Sequence, residues 1–420
     1  MSAAGSAVGG VLRVLRTEGA GGLARRAVLR AYHRLDAGAA APDIHPADIW
    51  SSGDARPTAP ARPIDGPARI AWLCRAPAAG SGGHTTLFRM IAGMSARGHR
   101  NTIALYDPQR GDPLRHTGVI AAHWPWLGVP DRVAIADAAA GLAGFDAVVA
   151  SSWATAHVAA RHAPAGARVF YFIQDFEPYF YPRGALYALA EDTYRFGFVN
   201  IALGDMVGSE LDAIGAPAHR VPFGVDTGVY RRAGDAPRHG ISVYVRRNND
   251  RRGYLLARAA VERFHERHPE HDIHVYGDAV GDWAVPVVSH GTLAPAELDA
   301  LYNRVVGGLA LSFTNISLIA AEMLAAGAIP VINDARSARA DLSNPYAVWA
   351  APTPAALADA LCTLVESGDV ARRSLAASRH RETVWSDTQA AVAELIEGEL
   401  ARPSGSSADP EKLRNAWASA

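Results

Sequence analysis

Two successive series of short apolar segments, each alternating with segments of helical period, predict an α/β chain of two Rossmann-like domains with a cleft between them. The first series starts at Arg69 and the second at Ile241, and between them Val221-Pro222-Phe223-Gly224-Val225-Asp226 breaks the periodicity. At 420 residues, 49% hydrophobic and 20% charged, the chain can bury a core in each domain.

The first series places strands at 69–74, 101–106, 145–151, 167–173 and 199–203. Between the first two, Leu87, Met90, Ile91 and Met94 fall at i, i+3, i+4 and i+7, which lays one helix face on a sheet. The second series places strands at 241–245, 272–276, 285–289, 308–312 and 329–332, with helices at 254–268, 296–305 and 318–326. Residues 370–400 read as helix. The chain then divides into an extension and linker at 1–66, domains at 67–226 and 238–375, a helical segment at 376–401 and a disordered tail at 402–420.

Forty-one basic residues against 42 acidic ones leave a formal charge of −1, so no global field draws nucleic acid, and none is expected as a partner. Cys74 and Cys362 are too few for a disulfide framework or a zinc site, which fits a reducing compartment. No run approaches the roughly 20 apolar residues of a membrane span, and no secretory signal pattern opens the sequence. The expected location is the cytoplasm. Within residues 1–36, Arg13, Arg16, Arg25, Arg26, Arg30 and Arg34 interleave with Leu12, Leu15, Leu23, Val28 and Leu35. That pattern suits either peripheral docking on the inner face of an anionic membrane or a helix packed on the globular body.

Four segments carry groups that could do chemistry. Gly80-Ser81-Gly82-Gly83-His84 lies directly after the first strand and before a helix, where bare backbone and a helix N-terminus can meet phosphate; a tight turn explains it equally well. It is not G-x-G-x-x-G, and Asp107 after the second strand is followed by proline, so a nicotinamide cofactor is poorly supported. Arg246 and Arg252-Gly253 follow the first strand of the second domain, where two guanidiniums could clamp a diphosphate. Ser312-Phe313-Thr314-Asn315-Ile316-Ser317 brings hydroxyl and amide groups to a helix start, and Glu322 stands inside that otherwise apolar helix. A charge there needs a partner, either ribose hydroxyls or an internal arginine. Finally Gln174-Asp175-Phe176-Glu177-Pro178-Tyr179 leaves a strand end with carboxylates and aromatic rings, the pairing a sugar site uses.

Together these segments resemble the GT-B glycosyltransferases of retaining family 4, over about residues 69–400. Phe223-Gly224-Val225-Asp226 resembles that family's hinge, and Arg246 with Arg252-Gly253 matches its diphosphate-gripping pair, an arginine replacing lysine. Glu322 matches the second glutamate of its E-x7-E pattern, which holds the donor ribose; the first glutamate falls at Thr314 and is missing. Gln174-Asp175 stands where the family often has histidine. The strings at 174–178, 314–319 and 243–246 are most similar to the WsaF-type bacterial rhamnosyltransferases.

The resemblance implies a retaining transfer of L-rhamnose from dTDP-β-L-rhamnose to a glycan or lipid-linked glycan of the cell surface, with neither metal nor other cofactor. It assigns the domain at 67–226 to the acceptor and that at 238–375 to the donor. The donor-binding residues are then Gly82, Gly83, His84, Arg246, Arg252, Tyr276, Gly277, Leu293, Thr314, Asn315, Ser317 and Glu322. Gln174, Asp175, Glu177 and Tyr179 meet the acceptor, and Asp175, Glu177, Arg246 and Arg252 are the catalytic candidates. Other UDP- or GDP-hexose donors, a nucleotide-sugar 2-epimerase of the same architecture and a non-catalytic sugar-binding protein remain open.

Overall fold

The computed structural model describes residues 20, 27, 43–54, 63–316, 318–380 and 383–403. Almost all of the candidate membrane segment 1–36, the tail beyond residue 403, and Ser317 lie outside them. Among the described residues no helix is long and apolar enough to cross a membrane. Among the described residues, 43–49 group with 107–112 in one unit, and Arg110 pairs with Asp48 at 2.6 Å. The described residues of 50–106 and 113–403 form the other unit, which holds both sheets.

The first sheet contains β1 (Arg69–Arg75), β2 (Arg100–Tyr106), β3 (Ala134–Asp137), β4 (Ala147–Ala150), β5 (Arg168–Ile173), β6 (Val199–Leu203) and β7 (His219–Val221). All pair in parallel, in the order β3-β2-β1-β4-β5-β6-β7. Its helices are α1 (Gly82–Ala96), α2 (Thr117–His123), α3 (Trp153–His162), α4 (Ala185–Asp192) and α5 (Asp205–Ala213). Central strands of a parallel sheet are covered on both faces. So Ile70, Ala71, Trp72 and Leu73 are all fully buried, with the Trp72 indole N–H donating to Asn101 at 2.8 Å.

The second sheet contains β8 (Ile241–Val245), β9 (Ile273–Gly277), β10 (Val288–Gly291), β11 (Gly307–Leu309), β12 (Ile329–Asn333) and β13 (Val348–Ala350). These too are parallel, in the order β10-β9-β8-β11-β12-β13. Their helices are α6 (Tyr254–Arg267), α7 (Pro295–Arg304), α8 (Leu318–Ala325), α9 (Arg336–Ala340), α10 (Pro354–Glu366) and α11 (Val370–Arg379). In both sheets the strand order reverses beside the first strand, the place where open α/β sheets bind ligands beyond the strands' carboxyl ends.

The sequence reading missed β3, β7 and β13, and all three are short edge strands. An edge strand pairs on one side only and needs no continuous apolar run, so periodicity does not betray it. The predicted helix at 370–400 is broken: α11 ends at Arg379 and α12 (Trp385–Ala401) starts anew.

Helix α12 returns to the first sheet, where Trp385, Val392, Ala393, Ile396 and Leu400 join the core that contains Leu87, Ile91 and Met94 of α1. Val225 bridges to Val384, and its N–H donates to Thr383 at 2.9 Å, so the first interdomain link and the return link lie side by side. Gly224 makes this approach possible: a Cβ there would lie 2.8 Å from the Trp385 backbone. Gly224→Val should therefore destabilise the chain by about 1–3 kcal/mol through overpacking. Gly118→Ala, with open space around it, should leave urea unfolding near wild type.

Candidate active site

Helix α1 begins at the mouth of β1. Ser81 caps it by accepting from the His84 N–H, and its hydroxyl lies 2.7 Å from His84 Nδ1. His84 Nε2 lies 3.1 Å from the Arg75 carbonyl, so the neutral ring carries its proton on Nε2 and accepts the Ser81 hydroxyl at Nδ1. Burial pushes the His84 pKa below its ordinary value, favouring that neutral form. Directly after the cap, Gly82 and Gly83 form the first positions of α1 and present bare backbone at the positive end of the helix dipole. A Cβ on Gly82 would meet Leu318 at 4.0 Å and one on Gly83 would meet Gln174 at 3.7 Å, ordinary contacts. Packing within the protein thus does not demand either glycine, and the tip of α1 faces the start of α8.

On the other domain, residues 312–315 form a pinned loop. Asn333, at the end of β12, accepts from the Ser312 N–H at 2.8 Å and donates to the Ser312 carbonyl at 2.7 Å. The Ser312 hydroxyl donates to the Asn315 carbonyl and accepts from Arg252 at 2.9 Å. Burial first, and then the neighbouring Arg251 charge, pull the Arg252 pKa below its ordinary value, so this guanidinium gains from any added anion.

The loop is joined to β5 by Asp175. Its Oδ2 accepts from Thr314 at 2.8 Å and from Arg251 at 2.9 Å, and its Oδ1 accepts from the Asn315 N–H at 3.3 Å. The Asn315 side chain donates to the Gln174 carbonyl at 2.6 Å. Burial raises the Asp175 pKa, against the pull of Arg251 and Arg252. Arg251 also lies 3.7 Å from the centroid of the Phe180 ring. The sequence reading passed over Arg251 and Asn333. An arginine among four in one turn and an amide ending an apolar strand carry no signal until the chain is folded.

Glu322, on α8, accepts no hydrogen bond and forms no ion pair with any described residue. The arginine of the internal-partner alternative exists, Arg89 of α1, but it pairs with Asp226 at 2.8 Å instead. Burial pushes Glu322 up to about 8, with Arg89 opposing and Asp226 adding to the shift. Glu177 is also pushed up, to about 7, chiefly by burial. Unlike Glu322 it has donors: the Trp153 N–H at the start of α3, and the Tyr171 hydroxyl at 3.3 Å.

The other predicted residues sit less directly in this cleft. Arg246 is tied to Asp278 at 3.0 Å and to the Tyr244 hydroxyl at 3.2 Å. Tyr276 is buried, its hydroxyl 2.7 Å from that of Tyr302, and Leu293 packs on the second-domain core. Gly277 (φ +104°) lets β9 close on β8, since a Cβ would lie 2.3 Å from the Val245 carbonyl. Tyr179 is exposed and donates to Glu210 at 2.8 Å.

Residues 135–205 match the family model for the WsaF N-terminal domain, and residues 239–362 match that for the WsaF C-terminal domain. Both matched domains are WsaF-type, and the chain has the GT-B glycosyltransferase fold. An O-antigen biosynthesis protein RfbC from Myxococcus xanthus is 30% identical over 345 residues, which cover 75% of this chain and 26% of that protein. The chain therefore spans about a quarter of that relative's length. A sucrose-phosphate synthase from Thermosynechococcus elongatus shares the fold at a TM-score of 0.60 and 12% identity, covering 80% of this chain and 99% of that one. HepE of Anabaena, solved with UDP and glucose, matches at a TM-score of 0.60 and 14% identity, covering 79% and 100%.

In this WsaF-type cleft the raised carboxyl groups fix a pH dependence. A carboxyl group whose pKa is raised on folding contributes stability that is complete below its unfolded pKa and lost as pH rises through its folded pKa. The melting temperature should therefore fall as pH rises from about 4.5 towards about 8, the folded value of Glu322. Glu322→Gln should flatten the upper part of that slope; an unchanged slope would show that Glu322 is not the group.

Proposed function

We propose that the protein is a glycosyltransferase that moves L-rhamnose from dTDP-β-L-rhamnose to a bacterial cell-surface glycan, with retention and without a metal ion. The observation that carries the reading is Glu322: a half-buried carboxylate with no described hydrogen-bond donor, on the helix whose start faces the glycine tip of α1. A ribose offers two adjacent hydroxyl donors, which would satisfy both carboxylate oxygens.

In this reading the donor diphosphate lies between the N-termini of α1 and α8, with Arg252 as its principal counter-charge. Arg246 supports the same region from the end of β8. Arg251 is positioned to exchange Asp175 for a phosphate oxygen, since both are anions and one guanidinium has donors for each. Gly82, Gly83, His84, Thr314 and Asn315 complete the donor side, with Tyr276, Gly277 and Leu293 as its wall. Asp175, Gln174 and Tyr179 face the acceptor, and Glu177 holds the start of α3 behind them.

The chemistry asked of the protein is positioning and charge stabilisation. As the bond from the sugar to the diphosphate lengthens, negative charge grows on the departing phosphate beside Arg252 and the helix ends. The same phosphate oxygen takes the acceptor's proton, so no separate protein base is required. The missing carboxylate at Thr314 and the exchange of histidine for Gln174-Asp175 support a donor lacking a hydroxyl that common hexoses carry. The cell-surface assignment draws on the relative named for O-antigen biosynthesis.

Thermal-shift and hydrolysis assays against dTDP-rhamnose, UDP-glucose, UDP-GlcNAc and GDP-mannose test this. Stabilisation and slow turnover are expected with dTDP-rhamnose, and Arg252→Ala and Glu322→Ala should each weaken donor binding by about ten- to a hundredfold. Ribose hydroxyls donate to the ionised carboxylate, so wild-type affinity should rise with pH up to about 8. Equal response to all four donors would remove the rhamnose assignment, and response to none would remove the transferase reading.

A further inference from the structure

We propose that the surface from Tyr179 to Tyr187 is a binding subsite for an uncharged oligosaccharide, continuing the acceptor beyond the sugar that receives the transferred residue. The inference rests on the transferase reading and names the class of acceptor. Tyr179 and Leu186 are each 40% exposed, large side chains left open to solvent. Tyr179 is nevertheless fixed: Phe176 meets its ring at 4.8 Å and 63°, and Glu210 accepts from its hydroxyl at 2.8 Å. A ring held at both ends loses little side-chain freedom when a ligand stacks on it.

What surrounds the rings decides the chemistry of that ligand. Glu210 and Glu191 both act on Tyr179 and Tyr187, raising their phenol pKa values after burial has done so first. Two cations lie beside them: Arg183, whose guanidinium lies over the Tyr187 ring at 5.6 Å, and Arg195, which pairs with Glu191 at 3.3 Å and leaves Glu210 to set the local charge at Tyr179. Aromatic faces edged with carboxylates suit a sugar, whose C–H faces stack and whose hydroxyls donate. Glu210, which among the described residues takes only the Tyr179 hydroxyl and has no arginine of its own, opposes a phosphorylated glycan or an anionic membrane.

Position links this surface to the cleft. Tyr179 follows Asp175 by four residues, so their Cα atoms are at most about 14 Å apart. The turn that bears them presents Phe180 to Arg251 and Tyr179 to solvent. A chain of sugars leaving Asp175 therefore meets Tyr179 next.

Saturation-transfer NMR on the full-length protein tests the proposal, using neutral tetrasaccharides of rhamno, gluco and manno configuration, a phosphorylated tetrasaccharide, and phosphatidylglycerol vesicles. At least one neutral tetrasaccharide should bind. Tyr179→Ala and Tyr187→Ala should weaken it about three- to tenfold. Tyr179→Phe, which keeps the ring, should retain most of the binding, and stabilisation by the nucleotide-sugar donor should persist in all three variants. The proposal fails if no neutral member binds, if both alanine variants bind as well as wild type, or if the phosphorylated sugar or the vesicles bind more tightly. Loss of donor stabilisation in the wild-type protein would instead refute the transferase reading.

Discussion

The cleft is organised around one carboxylate, that of Asp175. Removing an anion from water costs several kcal/mol even after relaxation, so a buried Asp175 requires donors on every side. Arg251, the Thr314 hydroxyl and the Asn315 N–H supply them, and all three come from the opposite sheet. Because the demand is local and directional, it fixes more than one pair of atoms. It sets the path of residues 312–315, which Asn333 holds from behind, and it draws Arg251 onto the face of Phe180.

One further polar contact spans the same domains, and another ties the first domain to the hinge. Asp341 accepts from the Asp205 and Met206 N–H groups at 2.5 and 3.1 Å, capping α5 from the second domain, and burial raises its pKa to about 6. Arg89 reaches Asp226 beside the hinge and also lies 5.3 Å from the Trp385 ring centroid. The permanent connection is of another kind: α12 buries Trp385, Val392, Ile396 and Leu400 in the first-domain core. Apolar burial does not respond to a phosphate group, whereas an arginine held by a carboxylate does. The fold thus separates a fixed apolar hinge from polar contacts across the cleft.

How much of this could be read from the sequence depended on the range of the interaction. Strands such as Ile241–Val245, buried on both faces, announce themselves in the residues they contain. Glycine tips and the lone carboxylate Glu322 are also local signals, because the surrounding apolar text makes them conspicuous. The clasp was not legible: Asp175, Arg251 and Thr314 are far apart in the chain, and only the fold makes them neighbours. Arg246 shows the converse, since its sequence position suggested an open guanidinium and the fold gives it Asp278.

Glu177 and Glu322 show why a raised pKa alone does not mark a ligand site. Burial lifts both carboxyl groups, to about 7 and about 8, so desolvation does not distinguish them. Their hydrogen bonds do. Glu177 receives a phenol and the first backbone N–H of α3, beside the Ser152 cap, which gives it a structural reason to be where it is. Glu322 receives nothing from the described residues, although Arg89 is near enough to stabilise its charge and is held by Asp226 instead. A half-buried acid left without a donor loses part of its hydration with nothing in return. The proposed donor ribose rests on that difference: Glu322 stands on α8, whose start faces the glycine tip of α1, with acceptor oxygens that the described residues leave open.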